Sequence, residues 1–259
     1  MPYQLNINPI IFKVKNICIT WYGISYITGF LLGKFYAKKI SNKYIPYLDK
    51  TIIENFSSTF LILLLLGGRI GYFLFYDLKT IIKDPIEIIK INHGGMSFHG
   101  SLVAILIGSF YYSKIKKTDL KTLLDILSSV IPIGIFLGRG ANFINQELCG
   151  RIINSHSSWG IIFPLKDSKL RHPSQIYEAI LEGLVIFLIL TIARKYFNIL
   201  RKKGQTTMLF LSLYCCFRFF IEFFREPDEQ IGLFFNSITL GQILSVFTLL
   251  TYLLINKYL

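Results

Sequence analysis

The sequence predicts an all-α integral membrane protein, a bundle of about seven transmembrane helices with a small outer loop region. Three observations predict this class: 53% of the 259 residues are apolar, the mean hydropathy is +0.51, and long apolar runs recur along the chain. A helix needs about 20 such residues to cross a hydrocarbon core of roughly 30 Å. No repeat or linker indicates a second domain, so residues 1–259 are predicted to form one domain.

The apolar runs define the predicted spans. In chain order they are Ile17–Tyr36, Phe56–Phe75, Phe98–Tyr112, Leu123–Phe143, Gln175–Ala193, Thr206–Phe224 and Ile238–Ile255. Two glycine pairs, Gly67/Gly71 and Gly134/Gly138, have the four-residue spacing that lets membrane helices approach closely. Both pairs are predicted to lie at helix contacts.

The distribution of basic residues predicts the orientation. Loops after the first, third, fifth and seventh spans carry fifteen lysines and arginines, against ten in the alternate segments, which also contain several acids. Because positively charged loops stay in the cytoplasm, the N-terminus is predicted outside and the C-terminus in the cytoplasm. The net charge of +13 then places basic loops beside anionic lipids. This placement does not favour a nucleic-acid partner.

With this orientation, the polar residues of the spans fall in or beside the outer half of the membrane. They are Tyr22, Arg69, His99, Arg139, Asn142, Asn145, Glu147, Arg151, His172, Glu178, Glu182, Arg218, Glu222 and Arg225. An arginine within a membrane costs several kcal/mol unless it is paired or hydrated, so these side chains should face the protein interior. Scattered structural residues would not sort to one side, and the sorting predicts a common site.

Helical spacing predicts ion pairs within this set. Arg218 and Glu222 are four residues apart and are expected to pair, which would leave Arg225 available to an anion. Glu178 and Glu182 are also four apart, and one of them is expected to neutralise Arg69 or another arginine.

Two histidines lie where helices are predicted to begin. His99 lies in the stretch Gly94–Gly100, whose glycines allow close backbone approach and leave open amide donors, and a functional role is favoured. His172 precedes Pro173, and a functional and a structural role are equally consistent with its context.

The segment Gly138–Arg151 is the densest polar stretch. Arg139 and Asn142 are three apart and share a helix face. Arginine forks together with amide donors are suited to a lipid phosphate. The four cysteines show no metal-ligand spacing, and neither a metal nor another cofactor is predicted.

Several motifs in fixed order resemble the prolipoprotein diacylglyceryl transferases, a family of bacterial enzymes. The matching stretches are Trp21–Gly23, Gly67–Tyr72, Gly94–Gly100, Gly138–Arg151, Arg171–Glu178 and Glu222–Asp228. They cover nearly the whole chain. The stretch between Arg151 and Arg171 is shorter than in many members of that family.

The resemblance implies transfer of the diacylglyceryl group of phosphatidylglycerol to the lipobox cysteine of a prolipoprotein signal peptide, with release of glycerol phosphate. It implies a bacterial cytoplasmic (inner) membrane enzyme, surrounded by membrane lipids, whose active site faces the outer, periplasmic side. The implied catalytic residues are Tyr22, His99, Arg139 and Arg225. The implied substrate pocket is Arg139, Asn142, Asn145, Glu147, Gly150, Arg151 and Arg225, with Arg69, His172 and Glu178 supporting it from behind.

A multi-span anion or lipid transporter with an outer cationic site is the alternative. A transporter is expected to carry polar residues through both membrane halves, often on broken helices in paired repeats. Here the inner halves are nearly featureless and no repeat is evident, which favours the enzyme. Residue patterns without the resemblance leave both classes open.

Overall fold

The computed structural model describes residues 3–14, 17–90, 95–153, 159–227, 233–234 and 237–258. Its long helices are α1 (Trp21–Tyr44), α2 (Lys50–Tyr76), α4 (Phe98–Ile115), α5 (Leu120–Asn145), α8 (Gln205–Ile221) and α9 (Leu240–Tyr258). A further long helix comprises α6 (Ser174–Glu178), a π-helical stretch (Ala179–Val185) and α7 (Ile186–Phe197). Short helices are α3 (Leu78–Lys83) and the 3-10 turns Pro85–Ile89 and Ile199–Arg201.

Each predicted span contains a helix in the structure. Among the described residues, three helices are long and apolar enough to cross a membrane: Lys50–Leu74, Leu120–Asn145 and Ser174–Phe197. Shorter apolar helices are Gly100–Ile115, Gln205–Ile221 and Leu240–Tyr252. The chain is a helical membrane protein.

The first predicted span began too early. Ile17–Thr20 form strand β3, which pairs antiparallel with β2 (Ile10–Val14), and α1 starts only at Trp21. β-branched residues favour an extended chain when a partner strand is present. The Thr20 hydroxyl then accepts a hydrogen bond from the Gly23 amide at 3.1 Å, which caps the new helix.

The chain forms two compact units, residues 36–127 and residues 1–35 with 128–259. In the first unit, α2 packs against α4. The Tyr112 hydroxyl donates to the Ile52 carbonyl at 2.9 Å, and the Ser101 hydroxyl donates to the Leu64 carbonyl at 2.8 Å.

Glycines make this close approach possible. A Cβ built on Gly71 would lie 2.5 Å from the Gly100 Cα, so the prediction for the Gly67/Gly71 pair is confirmed. In the other pair, Gly134 lies next to α1, because a Cβ on Gly29 would be 3.7 Å from the Gly134 Cα, whereas a Cβ on Gly134 or Gly138 would itself meet no described heavy atom within 4 Å. Spacing identifies small residues but not how closely a neighbouring helix approaches them.

This difference gives a matched test of packing. We expect Gly71→Ala to destabilise the protein by about 1–3 kcal/mol, since backbone atoms must move to admit the methyl group. Gly134→Ala has space and should leave stability nearly unchanged. Thermal unfolding in detergent measures both, and equal unfolding temperatures for the two variants would contradict the packing of α2 on α4.

The second unit has two parts that position the site. Ile186, Leu190 and Phe210 form an apolar cluster between α7 and α8. Outside the spans, a small sheet has the order β1 (Tyr3–Gln4), β4 (Ile161–Ile162), β5 (Leu170–Arg171), with β1 parallel and β5 antiparallel to β4. Leu5, Cys149 and Phe163 pack together beside it.

Candidate active site

Three arginines converge on the carboxylate of Glu178, whose side chain is fully buried. One oxygen, Oε1, accepts from Arg218 Nη1 at 2.8 Å and from Arg225 Nη1 at 3.0 Å. The other, Oε2, lies 2.9 Å from Arg139 Nε. Guanidinium groups from α5, from α8 and from the segment after α8 thus meet around one carboxylate.

Local structure sets the position of this carboxylate. Glu178 ends the first turns of α6, immediately before the π-helical stretch. Within that stretch, a Cβ on Gly183 would lie 2.8 Å from the Phe136 Cα, so the backbone of the stretch nearly touches α5. Because Phe136 is one turn before Arg139, this contact brings Glu178 and Arg139 together. A π-helical stretch frequently marks a functional site.

Two further glutamates complete a buried cluster of three arginines and three carboxylates. The predicted pair of Arg218 with Glu222 is confirmed. Arg218 Nη1 also lies 3.6 Å from Glu182 Oε1, although neither Glu182 carboxyl oxygen accepts a hydrogen bond from the described residues. The expectation that Arg225 stays unpaired is wrong, because Glu178 binds it.

The end of α5 carries the amides next to this cluster. Arg139 Nη1 donates to Asn142 Oδ1 at 3.5 Å, and Asn142 Nδ2 donates to Glu147 Oε2 at 3.4 Å. Asn145 Nδ2 donates to the second Glu147 oxygen at 3.4 Å. The helix stops because Gln146 is left-handed, at φ 59°. Arg139, Asn142, Asn145 and Glu147 therefore form one connected polar strip.

Gly150 and Arg151 fasten the chain beyond α5 to the end of α8. The Gly150 amide donates to the His172 carbonyl at 2.9 Å, and the Arg151 amide donates to the Phe224 carbonyl at 2.8 Å. Arg151 Nε donates to the Arg225 carbonyl at 3.0 Å. The Arg151 side chain thus binds backbone carbonyls after α8 and holds the Arg225 backbone in place.

Ion pairs of Arg171 support the backbone at Gly150. Arg171 is bound by Asp167 at 2.6 Å and by Glu226 at 2.9 Å, and its Nη1 donates to the Gly150 carbonyl at 3.0 Å. Hydrogen bonding from Arg171 lowers the pKa of Asp167. His172 Nδ1 lies 3.2 Å from the Tyr177 hydroxyl, and burial lowers the pKa of His172, which favours its neutral form.

Tyr22, at the start of α1, faces the same polar strip. Its hydroxyl lies 3.1 Å from that of Tyr26, and it interacts electrostatically with Glu147 and Arg139. A cleft of about 410 Å³ lies beside it between α1, α5 and the start of the α6 helix. The apolar side chains that line the cleft include Trp21, Ile24, Phe136, Leu137, Ile144 and Ile180.

Two predicted site residues belong to the other unit. Arg69 is buried at 1% exposure, and its Nε and Nη1 donate to the carbonyls of Ile88 at 3.2 Å and Gly95 at 3.1 Å. The expectation that Glu178 or Glu182 neutralises Arg69 or another arginine is confirmed for other arginines, because Glu178 binds Arg139, Arg218 and Arg225. His99 lies in the first turn of α4, and its side chain falls outside the described part of the structure. The Gly100 amide of that turn is bound by the Ser97 hydroxyl at 3.3 Å.

Sequence reasoning missed two members of the second unit's site. Tyr26 is one helical turn from Tyr22, a spacing that could have indicated the contact. Gln175, fully buried, donates to the Glu147 carbonyl at 2.7 Å and braces the loop after α5. Its position beside His172 and Glu178 was the available signal. Among the described residues, no group of three His, Cys, Asp or Glu side chains is arranged to hold a metal.

The helices and this site define a helical membrane protein with a buried arginine–carboxylate cluster. A family model described as prolipoprotein diacylglyceryl transferase matches residues 9–258. A Rickettsia typhi protein named phosphatidylglycerol–prolipoprotein diacylglyceryl transferase is 50% identical over 240 residues, 93% of this chain and 92% of that protein. Proteins of the same name from Rickettsia bellii and Rickettsia canadensis are 49% and 48% identical, and each alignment covers 93% of this chain.

The chain therefore belongs to the prolipoprotein diacylglyceryl transferase family. The resemblance inferred from the motifs is confirmed. The alternative of a transporter is not favoured.

Proposed function

We propose that this protein transfers the diacylglyceryl group of phosphatidylglycerol to the lipobox cysteine thiol of a prolipoprotein, the first step of lipoprotein maturation. The names of the relatives support both substrates. In the reaction the cysteine sulfur forms a thioether bond to the glyceryl carbon. The bond from that carbon to the phosphate oxygen breaks, glycerol phosphate leaves, and the thiol proton is released.

The convergence of Arg139 and Arg225 carries the assignment of the phosphate site. Both guanidinium groups contact a single carboxylate, at 2.9 and 3.0 Å, so they are close enough together to contact one phosphate. Their side chains are 21% and 11% exposed, whereas Glu178 is fully buried. We assign the two arginines to the lipid phosphate and to the departing glycerol phosphate, which they stabilise electrostatically. Glu178 holds them together from behind.

The leaving group and the nucleophile need different kinds of catalysis: charge stabilisation for the phosphate and proton removal for the thiol. A phosphate monoester is a stable anion with a second pKa of about 6, so cationic groups suffice for its departure. A thiol with a pKa of about 8.5 is mostly protonated at neutral pH, and only its thiolate attacks well. We assign His99 to the thiol proton, because a histidine pKa near 6.5 suits a general base. Tyr22 orients the headgroup or the nucleophile.

The strip at the end of α5 is assigned to the glycerol headgroup. Asn142, Asn145 and Glu147 offer amide and carboxylate partners for its hydroxyls, while Gly150 and Arg151 hold the pocket wall against Arg225. The apolar cleft beside Tyr22 suits a substrate that is a lipid.

We further propose that residues 1–259 act as one transferase domain of seven spans in a bacterial cytoplasmic membrane. The N-terminus and the site lie outside and the C-terminus lies in the cytoplasm, on the basis of the excess of basic residues in alternate loops. Single cysteines at Lys116 and Lys166, exposed to a membrane-impermeant maleimide on intact cells, test this. Labelling at position 166 alone would support the proposed orientation, whereas labelling at position 116 alone would show that the orientation is the opposite one.

The reaction is tested with purified protein, phosphatidylglycerol and a lipobox peptide. We expect the peptide mass to increase by one diacylglyceryl group and glycerol phosphate to appear in equal amount. If the peptide stayed unmodified and vesicles containing the same preparation showed anion or lipid flux, the transferase proposal would be wrong and the transporter alternative would be supported.

The general base is tested by the pH dependence of the rate. We expect His99→Gln to lower transfer most at low pH, where thiolate is scarce, with partial recovery as pH approaches about 8.5. His172→Gln is the matched control. Burial lowers the pKa of His172, so this substitution should change the transfer rate by the same factor at every pH. A His99→Gln curve parallel to that of the parent enzyme would remove the base role.

The cysteines of the chain give a further prediction. Cys18, Cys149, Cys215 and Cys216 are all free thiols, and the proposed nucleophile arrives on the substrate. Replacing the four together should leave the transfer rate within a few-fold of the parent, once corrected for folded protein. Loss of all turnover in a stably folded variant would indicate a covalent enzyme intermediate instead.

A further inference from the structure

The segment that follows α2 carries an uncovered apolar ridge. Leu78, Ile82, Ile86 and Ile89 are exposed by 50%, 73%, 61% and 68%. The first two are one turn apart on α3, and the last two are three apart on the 3-10 turn, where such residues eclipse. Neither short helix contains a buried residue. Several large apolar side chains exposed next to one another mark a surface that a partner covers.

The exposed charge beside the ridge is cationic. Lys79 and Lys83 are exposed and four residues apart on α3, so they form a second row next to the Leu78/Ile82 row. The acids of the segment are engaged locally. Asp77 accepts from the Thr80 amide, while Asp84 and Glu87 bind Lys90 at 3.1 and 2.6 Å.

Arg69 fixes this segment to the span α2. Its Nε donates to the Ile88 carbonyl at 3.2 Å, and Nη2 donates to the Glu87 carbonyl. These carbonyls lie at the end of the 3-10 turn. A guanidinium at 1% exposure therefore anchors the backbone of the segment, and the ridge keeps its outward direction.

We propose that Leu78–Lys90 lies in the plane of the bilayer surface and binds anionic phospholipid there. Its apolar ridge enters the boundary of the acyl chains, and Lys79 and Lys83 reach the phosphates above it. An amphipathic segment with apolar and basic rows behaves in this way, since burial of the apolar row and attraction to anionic headgroups add. Charge complementarity favours lipid over a second copy of this basic chain. The leaflet follows from the orientation under Proposed function; the binding itself does not depend on the transfer reaction.

The environment of Ile82 tests the proposal. A spin label on Ile82→Cys, in the four-cysteine replacement and in nanodiscs of phosphatidylglycerol and phosphatidylcholine, is relaxed by oxygen and by a water-soluble nickel chelate. We expect strong relaxation by oxygen and weak relaxation by nickel. The label on Lys116→Cys, in the turn after α4, should show the reverse. Strong nickel relaxation at 82 would place the ridge in water, and weak relaxation by both reagents would place it against protein; either result overturns the proposal.

A second variant tests the lysines in a chain with its native cysteines. Ile82→Trp adds a fluorophore whose signal is obtained by difference from the parent. We expect brominated phosphatidylglycerol to quench it more than brominated phosphatidylcholine does. Lys79→Glu with Lys83→Glu should lower this preference by about fivefold or more, since each lysine near an anionic surface contributes about that factor. An unchanged preference would show that the two lysines do not bind the headgroups.

Discussion

We expect Arg139→Lys and Arg225→Lys each to lower the transfer rate at saturating phosphatidylglycerol by about 10- to 150-fold. Each arginine binds Glu178 with one nitrogen, and Arg139 also contacts Asn142. A planar guanidinium has five N–H donors and can bind a carboxylate and a phosphate together, whereas a lysine has one nitrogen for both tasks. Loss of a charge-assisted hydrogen bond of roughly 1.5–3 kcal/mol corresponds to that range. The rate of peptide lipidation measures the effect.

Arg194→Lys is the matched control for these variants. Arg194 is also buried, at 1% exposure, but it lies in the last turn of α7 and donates to Thr191. Its replacement should lower stability and leave the rate per folded molecule within a few-fold of the parent. If Arg139→Lys and Arg225→Lys retained full activity, the bidentate phosphate site would be wrong.

We expect Glu178→Gln to destabilise the protein by about 3–5 kcal/mol, the usual cost of removing one partner from a buried ion pair. The change preserves shape but removes the negative charge that three arginines share. Arg139 and Arg225 then repel each other, so transfer should also fall. Thermal unfolding in detergent and lipidation of the peptide measure the two effects separately.

Glu182→Gln provides the comparison, because Glu182 is equally buried and lies in the same helix. Glu182 Oε1 lies 3.6 Å from Arg218 Nη1, whereas Glu178 Oε1 lies 2.8 Å from the same nitrogen, so a smaller loss of stability is expected. Equal losses for the two variants would mean that burial of a carboxylate, and not the convergence on Glu178, determines the stability.

The helices were predictable because membrane spans reveal themselves by composition alone. The start of α1 was not predictable, since the apolar run Ile17–Thr20 has no period that distinguishes strand from helix, and its state depends on β2. The small sheet of β1, β4 and β5 joins residues as distant as Tyr3 and Ile161, and such pairing has no local signal.

The contacts of the site also differ in how far the sequence predicts them. The pair of Arg218 with Glu222 followed from spacing along one helix. The binding of Arg225 to Glu178 did not, because the two residues are separated by 47 positions and their contact depends on how two helices are rotated. The resemblance to a family supplied the reaction, which no count of arginines could have given.

The shared carboxylate has a consequence for biosynthesis. Arg139 is made before Glu178, and Arg218 and Arg225 follow Glu178 by 40 and 47 residues. The α5 segment with Arg139 therefore leaves the ribosome before Glu178 exists, whereas the segment with Arg218 and Arg225 follows Glu178. A lone charge at the centre of an inserting helix costs roughly 2.5–3.5 kcal/mol. We expect Arg139 to stay hydrated until synthesis reaches Glu178, because an arginine that is neither paired nor hydrated is costly in a membrane. In this order of synthesis, the helix with Glu178 first supplies the carboxylate that neutralises Arg139 and later binds Arg218 and Arg225.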